Sequence, residues 1–428
     1  MRLFFYNCIL LIFIPFMVLR LIVKSIQDKD YIKDLSNRFG IYKKKIDIGK
    51  DIPHGKIFKS YKDPVWFHAV SLGEVIGSQT IVREILHKGD DVILSVSTPT
   101  GLREAKKIYS NDLEVVYAPW DFMLFVNSFL RKFKPKALIL FETEIWPSII
   151  HACWYKEIPV ILSNARLSEK SLKRYLRFGF FIKTTINKIS LILAQSDKHV
   201  ERFKKIGFDD LEIKKVGSVK FDINQKSLET FSSVTDNVIL ATSTHKNEEE
   251  IVVEAFKKLK NEIADLKLIV VPRHPERSES IAKIFLANQL KIKILSIPPV
   301  SFDETDVFII NSTGMLNSLY QIYKVAFIGG SLFKQYGGHN IIEPASNECS
   351  FIVGPHMKNF DDILHLFIEN QACIQLDNSN HLDKAFRQLI KNNEFRSNMI
   401  DNALKVVNEN KGSSIKQIKY INDYINKI

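Results

Sequence analysis

The chain has 428 residues, 46% hydrophobic and 25% charged, and its 60 basic and 48 acidic side chains leave a net charge of +12. That length exceeds one compact core and calls for two domains, while the composition excludes a disordered or fibrous protein. The four cysteines (Cys8, Cys153, Cys349, Cys373) stand far apart with no CxxC pair, which argues against a disulfide framework or a zinc cluster and suits a reducing compartment. The positive charge calls for an anionic partner: nucleic acid, an anionic membrane and a phosphorylated substrate all qualify.

Leu3 to Val23 is almost continuously apolar, interrupted mainly by Asn7 and Arg20, and is long enough to cross a bilayer. No small-residue cleavage site follows it, which argues against a removed signal peptide. Lys24, Lys29, Lys33, Arg38, Lys43, Lys44, Lys45 and Lys50 follow the run and only Arg2 precedes it, so the positive-inside rule puts the bulk of the protein in the cytoplasm. A spanning or deeply inserted anchor over 1–24 is the favoured reading. A helix lying in the membrane interface is the alternative, because Arg20 sits awkwardly for a full span.

Beyond a lysine-rich connector, Val65–Val70, Val92–Val96, Leu113–Tyr117, Ala137–Phe141, Val160–Leu162 and Leu191–Ala194 read as strands, with helices such as Glu74–His87 and Asp121–Phe133 between them. This alternation predicts a doubly wound parallel sheet over 25–222. The polar stretch 223–236 reads as a linker. The rhythm then restarts over 237–410, with strands at Val238–Ala241, Leu266–Val271, Ile292–Ile297, Val307–Ile310, Val325–Ile328 and Ser350–Val353, and helices at Glu248–Lys260 and Pro275–Leu290. Two Rossmann-like domains bind ligands outside their strand C-termini, so the cleft between them is the expected site. Glu394 to Ile428 reads as helical, its end (411–428) docking on the N-terminal domain. Between Ser168 and Lys188, basic residues alternate with Tyr175, Phe178, Phe180 and Phe181; this suits a membrane interface, and a solvated face over core aromatics is the alternative.

Gly337-Gly338-His339-Asn340-Ile341-Ile342-Glu343 follows the strand-like run Val325–Ile328 and its Gly329-Gly330-Ser331 turn. Glycines that let backbone amides approach a phosphate, followed by a helix start carrying Asn340 and Glu343, suit a nucleotide. A capping box with Asn340 as N-cap and Glu343 at N3 explains the same residues equally well. Ser71-Leu72-Gly73-Glu74 leaves its strand through a glycine turn, so Glu74 is either a base for a sugar hydroxyl or an acid stabilising a helix N-terminus. In Phe141-Glu142-Thr143-Glu144, acids two apart share a face only if the strand continues, so one of them is expected at the cleft. Arg273, just after a buried strand, is placed to pair a phosphate or carboxylate. Asn311-Ser312-Thr313-Gly314-Met315 is either a phosphate-facing turn or a helix start capped by Ser312. No HExxH, Walker lysine motif or GxGxxG after the first strand occurs, which weakens metalloprotease, NTPase and dinucleotide readings.

Taken in order, these motifs resemble the 3-deoxy-D-manno-oct-2-ulosonic acid (Kdo) transferases. The resemblance runs from Arg38-Phe39-Gly40 through Thr98-Pro99-Thr100-Gly101, Ala118-Pro119-Trp120-Asp121, Asn164–Ser168, Lys220-Phe221-Asp222, Ser243-Thr244-His245 and Pro272–Arg277 to Gly354-Pro355-His356. It implies a GT-B glycosyltransferase, inverting and metal-independent, with no cofactor. It implies CMP-Kdo as donor, the lipid A precursor as acceptor, an anionic inner membrane as partner and no nucleic acid. By position, Glu74 is then the general base, with Glu144 and Lys220 assisting the transition state. Pro272, Arg273, Thr313, Gly314, Met315, Asn340, Ile341, Ile342 and Glu343 hold CMP. Ser218, Asn247, Asn311 and Asn317 depart from the family pattern without removing a residue assigned to chemistry. Two alternatives stand: a membrane-associated GT-B enzyme with another nucleotide sugar, since fold alone does not fix the donor, and a non-catalytic basic membrane- or nucleic-acid-binding protein.

Overall fold

The computed structural model describes residues 2–42, 62–110, 112–208, 213–222, 237–299 and 302–426. Lys43, Lys44, Lys45 and Lys50 and the 223–236 linker lie outside these described residues. The chain divides into one unit of Met1–Asp222 with Gly412–Ile428 and another of Ile223–Lys411.

In the first unit, β1 (Val65–His68), β2 (Val92–Val96), β3 (Glu114–Tyr117), β4 (Ala137–Phe141), β5 (Val160–Ala165), β6 (Leu191–Ala194) and β7 (Ile213–Lys215) form one sheet, ordered β3-β2-β1-β4-β5-β6-β7. All its pairings are parallel; Phe67, for example, lies between Leu94 and Ile139. Every residue of β1, β2 and β4 is buried, because helices cover both faces of such a sheet. Alternate side chains therefore feed two cores: Phe67, Leu94 and Ile139 on one face, Trp66, Ile93 and Leu138 on the other. The strand order reverses direction between β1 and β4, and the loops leaving those two strands diverge there to open a crevice.

The second unit repeats the plan with β8 (Val238–Thr244), β9 (Lys267–Pro272), β10 (Ile292–Leu295), β11 (Val307–Ile310), β12 (Val325–Ile328), β13 (Ser350–Val353) and β14 (Ile374–Gln375). The order is β10-β11-β9-β8-β12-β13-β14, again all parallel, and the reversal falls between β8 and β12. All twelve expected strands are present; β7 and β14, at sheet edges, are additional.

The helices differ from expectation in detail. Glu74–His87 is two helices, Leu72–Gly77 and Gln79–His87, which meet at Ser78. The helix expected from Asp121 starts at Met123. The Asp121 carboxylate instead accepts the amides of Ser148 (3.2 Å) and Ile149 (2.8 Å), at the start of the helix Pro147–Tyr155. The 275–290 helix begins as a 3-10 turn, Pro275–Arg277, and continues as Ser278–Ala287. Glu394–Ile428 is two helices, Asn393–Asn410 and Ser413–Ile425, broken at Gly412 with φ of +79°. The second of these packs Ile418, Ile421 and Ile425 into the first unit's core. There Gln417 Oε1 accepts hydrogen bonds from Ser163 Oγ (2.7 Å) and the Asn164 amide (2.8 Å). Asp222 accepts the Gly412 and Ser414 amides.

The N-terminal helix Arg2–Ser25 is long and apolar enough to cross a membrane, and none of its residues is fully buried. Near its start, Tyr6 Oη donates to Asp121 (2.7 Å), and Asn7 accepts the Met123 amide (2.8 Å) while donating to Ser148 Oγ (3.1 Å). Just past its end, Arg103 pairs with Asp28 (3.1 Å) and with Asp30, and Tyr117 Oη donates to the Asp30 carbonyl (2.9 Å).

Candidate active site

In the first unit, the crevice between β1 and β4 holds the acidic motifs. Ser71 caps the helix Leu72–Gly77, which places Glu74 on its first turn. The Glu74 carboxylate accepts the Val70 amide (2.8 Å) and the Ser71 hydroxyl (2.9 Å), so the stabilising role near the helix start is realised. The same carboxyl is largely buried, and burial pushes its pKa up to about 7, with the charge of Glu142 adding to the rise. The loop after β4 separates the other two acids. Glu142, at φ +62°, pairs with Arg166 (3.0 Å), and its charge still reaches both Glu74 and Glu144. Glu144 is partly buried, and burial, followed by the charge of Glu74, raises its pKa to about 8. Burial and neighbouring negative charge raise both carboxyls above the ordinary glutamate range.

Lys220 lies in the 3-10 turn Val219–Asp222. That turn adjoins the same helix: a Cβ on Gly77 would sit 3.7 Å from the Phe141 ring and 3.9 Å from the Val219 side chain. Ser218 Oγ accepts the Lys220 amide (3.4 Å), so the departure at position 218 still provides a local acceptor. The first unit also holds a largely apolar cavity of about 210 Å³, walled by Leu10, Ile14 and Met17 of the N-terminal helix and by His68, Trp120 and Trp146 of the body.

In the second unit, the residues beyond β8, β9 and β12 come together. His245 Nε2 and His339 Nε2 are 2.8 Å apart, and Tyr336 stacks on His245 with ring centroids at 4.0 Å. His274 meets His245 edge-on at 5.8 Å. Burial, then the neighbouring cationic and imidazole groups, lowers both His245 and His339 to about 4, so they are neutral imidazoles. Arg273, beside Pro272 at the end of β9, is exposed and has no side-chain partner among the described residues. Thr313 and Gly314 are exposed as well, and a Cβ on Gly314 would meet open space.

Several expectations need correction here. The helix after the glycine motif starts at Ile342, with Ile341 as its N-cap, so Glu343 is at N2 and no capping box forms. Asn340 makes a local turn by accepting the Ile342 amide (3.0 Å). Ile341 and Ile342 have fully buried side chains, which leaves them only backbone atoms for any ligand. Glu343 is partly buried with a raised pKa. Ser312 is not a cap either: it donates to the Ser296 carbonyl (2.6 Å), and Met315 takes the N-cap position. The glycines' close approach is used by the chain itself. A Cβ at Gly330 (φ +68°) would lie 2.6 Å from the His339 ring, and one at Gly338 (φ +82°) 2.3 Å from Met357 Sδ.

Glu248 was not foreseen as a site organiser. Its buried carboxylate accepts four amides: His245 (2.9 Å), Gly330 (2.6 Å), Ser331 (3.1 Å) and Leu332 (3.0 Å). It thereby ties the loops after β8 and β12 into one shape. In sequence it looks like one of three acids at a helix start, Glu248-Glu249-Glu250; only its position three residues past His245 hinted at more.

Two doubly wound parallel units in one chain define a GT-B-type fold. The chain is similar in fold to a glycosyltransferase from Rickettsia africae, with a TM-score of 0.55 at 15% identity over 86% of this chain and 99% of that one. Residues 33–223 match the family described as 3-deoxy-D-manno-octulosonic-acid transferase (kdotransferase). Over 99% of both chains, the sequence is 29% identical to the 3-deoxy-D-manno-octulosonic acid transferase of Haemophilus influenzae; over 96% of both, it is 30% identical to that of Rickettsia bellii. The chain belongs to the 3-deoxy-D-manno-octulosonic acid transferase family, and it is a glycosyltransferase.

Proposed function

We propose that this enzyme transfers Kdo from CMP-Kdo to the lipid A precursor lipid IVA, with inversion, at the cytoplasmic face of a Gram-negative inner membrane. The observation that carries the reading is the pair of coupled carboxyls after β1 and β4, Glu74 buried and Glu144 partly buried. Glu74, with a pKa of about 7, takes the proton of the acceptor hydroxyl. The freed oxygen forms its bond to the anomeric carbon of Kdo as the bond from that carbon to the CMP phosphate oxygen breaks. Glu144, protonated at neutral pH, offers a hydrogen bond to developing negative charge, and Lys220 supplies positive charge to the same transition state.

CMP leaves with a single phosphate, so donors and cations on the protein can take the place of a metal ion bridging two phosphates. Arg273 and the Thr313–Met315 turn are assigned to the nucleotide, with Pro272, Asn340 and Glu343. Ile341 and Ile342 contribute through their backbone. The apolar cavity walled by His68, Trp120 and Trp146 supports an amphiphilic acceptor, and the N-terminal helix supports work at a membrane. Incubating the purified enzyme with CMP-Kdo and tetraacylated lipid A precursor, followed by mass spectrometry of the lipid, tests the assignment. Added Kdo mass supports it and counts the sugars; unmodified lipid under conditions where CMP-Kdo binds would refute the acceptor.

A further inference from the structure

Arg38 opens the Arg38-Phe39-Gly40 motif, to which the transfer reaction gives no role. Its carbonyl accepts the Trp120 amide (2.8 Å), and the Phe39 ring meets Trp120 edge-on with centroids 5.1 Å apart. Gly40, at φ +72°, lies so close to the Phe125 carbonyl that a Cβ would sit 2.3 Å from its oxygen. The motif is thereby locked against Ala118-Pro119-Trp120-Asp121, and the Arg38 side chain is carried inward. It is 4% exposed, lies over the Tyr117 ring at 4.2 Å and donates from Nη2 to the Ser97 carbonyl (3.0 Å). Its Nε has no acceptor among the described residues. No carboxylate among them pairs with it either: burial lowers its pKa, and the groups that oppose this are tyrosines, Tyr117 foremost. A guanidinium withdrawn from water without an anion is costly, and the fold supplies none.

Arg38 lines the cavity of about 210 Å³ together with Leu10, Ile14 and Met17 of the N-terminal helix. A largely apolar cavity of that size takes an apolar ligand in preference to water, as one of about 150 Å³ already does. The other groups in its wall that could carry charge are occupied. Asp121 accepts from Tyr6 Oη and from the Ser148 and Ile149 amides. His68 Nδ1 lies 2.8 Å from Ser95 Oγ, and burial lowers this imidazole to about 4, so it is neutral. The charge of Arg38 therefore stands alone beside apolar space. We propose that this cavity binds an anionic amphiphile, with a carboxylate or phosphate head on Arg38 and an alkyl chain along Leu10, Ile14 and Met17. The lipid A precursor carries both groups, and for that source the site rests on the acceptor proposed above. A free fatty acid has the same chemistry and does not depend on it.

Trp120 and Trp146 line the cavity and report on its contents. The full chain in nonionic detergent is titrated with terminally brominated dodecanoate, whose bromine quenches tryptophan, and with the uncharged methyl ester of the same acid. The acid is expected to quench saturably and at a concentration at least about ten-fold lower than the ester. Arg38→Met should abolish that difference. Ile14→Phe, on the partly buried helix wall, narrows the cavity without touching Arg38 and should weaken binding of the acid about ten-fold. Equal curves for acid and ester, or an unchanged curve in Ile14→Phe, would overturn the site. Displacement of the bound acid by tetraacylated lipid A precursor would assign the site to the acceptor. Saturable, charge-dependent binding of the acid without such displacement would assign it to a separate amphiphile and leave the transfer reaction to its own test.

Discussion

Arg277 grips Glu249 with two hydrogen bonds, 2.9 and 3.0 Å long, around a carboxylate with no exposure at all. Four residues away, the Arg273 guanidinium is exposed without such a partner. Two arginines of one motif therefore have separate roles. Arg277→Ala orphans a buried charge and is expected to cost about 3–5 kcal/mol of stability, read as a drop in Tm. Arg273→Ala is expected to leave Tm unchanged and to weaken CMP-Kdo binding about ten- to a hundred-fold in a calorimetric titration. Equal Tm losses in the two variants would undo the distinction.

The acid limb of the rate profile follows from Glu74. A general base must be ionised, and this carboxyl is raised to about 7, so kcat is expected to fall as pH drops below about 7. Glu74→Gln should keep the fold and the donor affinity and lose turnover by at least about 10²-fold. A profile flat down to pH 5, or near-normal turnover in the variant, would remove Glu74 from the base position.

Glu144 predicts a pH-dependent stability. Its pKa is higher folded than unfolded, so the folded state binds the proton more tightly. The folded protein is therefore penalised progressively as pH rises from about 4.5 to about 8. Glu144→Gln removes that penalty. Its gain in stability should be larger at pH 8.5 than at pH 5.5, by about 3 kcal/mol. A pH-independent difference would count against the partly buried, raised carboxyl.

Removal of divalent cations with EDTA is expected to leave transfer unchanged, measured as CMP release with and without added Mg²⁺. A reversible loss of activity would call for a cation on the CMP phosphate.

The strands were legible because buried parallel strands are uninterrupted apolar runs, such as Ala137–Phe141 and Val325–Ile328. β7 and β14 escaped because edge strands of three and two residues, such as Ile-Lys-Lys at 213–215, carry no such run. The placement of β10 outside β11 depends on tertiary pairing that no local pattern records. Helix starts were the weakest point. Asn340 and Ser312 have the chemistry of caps, but each side chain found a nearer backbone partner, the Ile342 amide and the Ser296 carbonyl. Glu74 and Glu144 were visible as acids after strands; their coupling was not, because it needs β1 and β4 side by side. Glu248 shows the opposite case, where an ordinary-looking helix acid reaches amides more than eighty residues away.

The helix Ser413–Ile425 fills the core of the unit that begins the chain, although the whole second unit is encoded between them. During synthesis the second unit can close as soon as it leaves the ribosome, whereas the first must wait with Ser163 and its Asn164 amide unmet until Gln417 arrives. The half that carries the acids is therefore completed only after the whole second unit has been made.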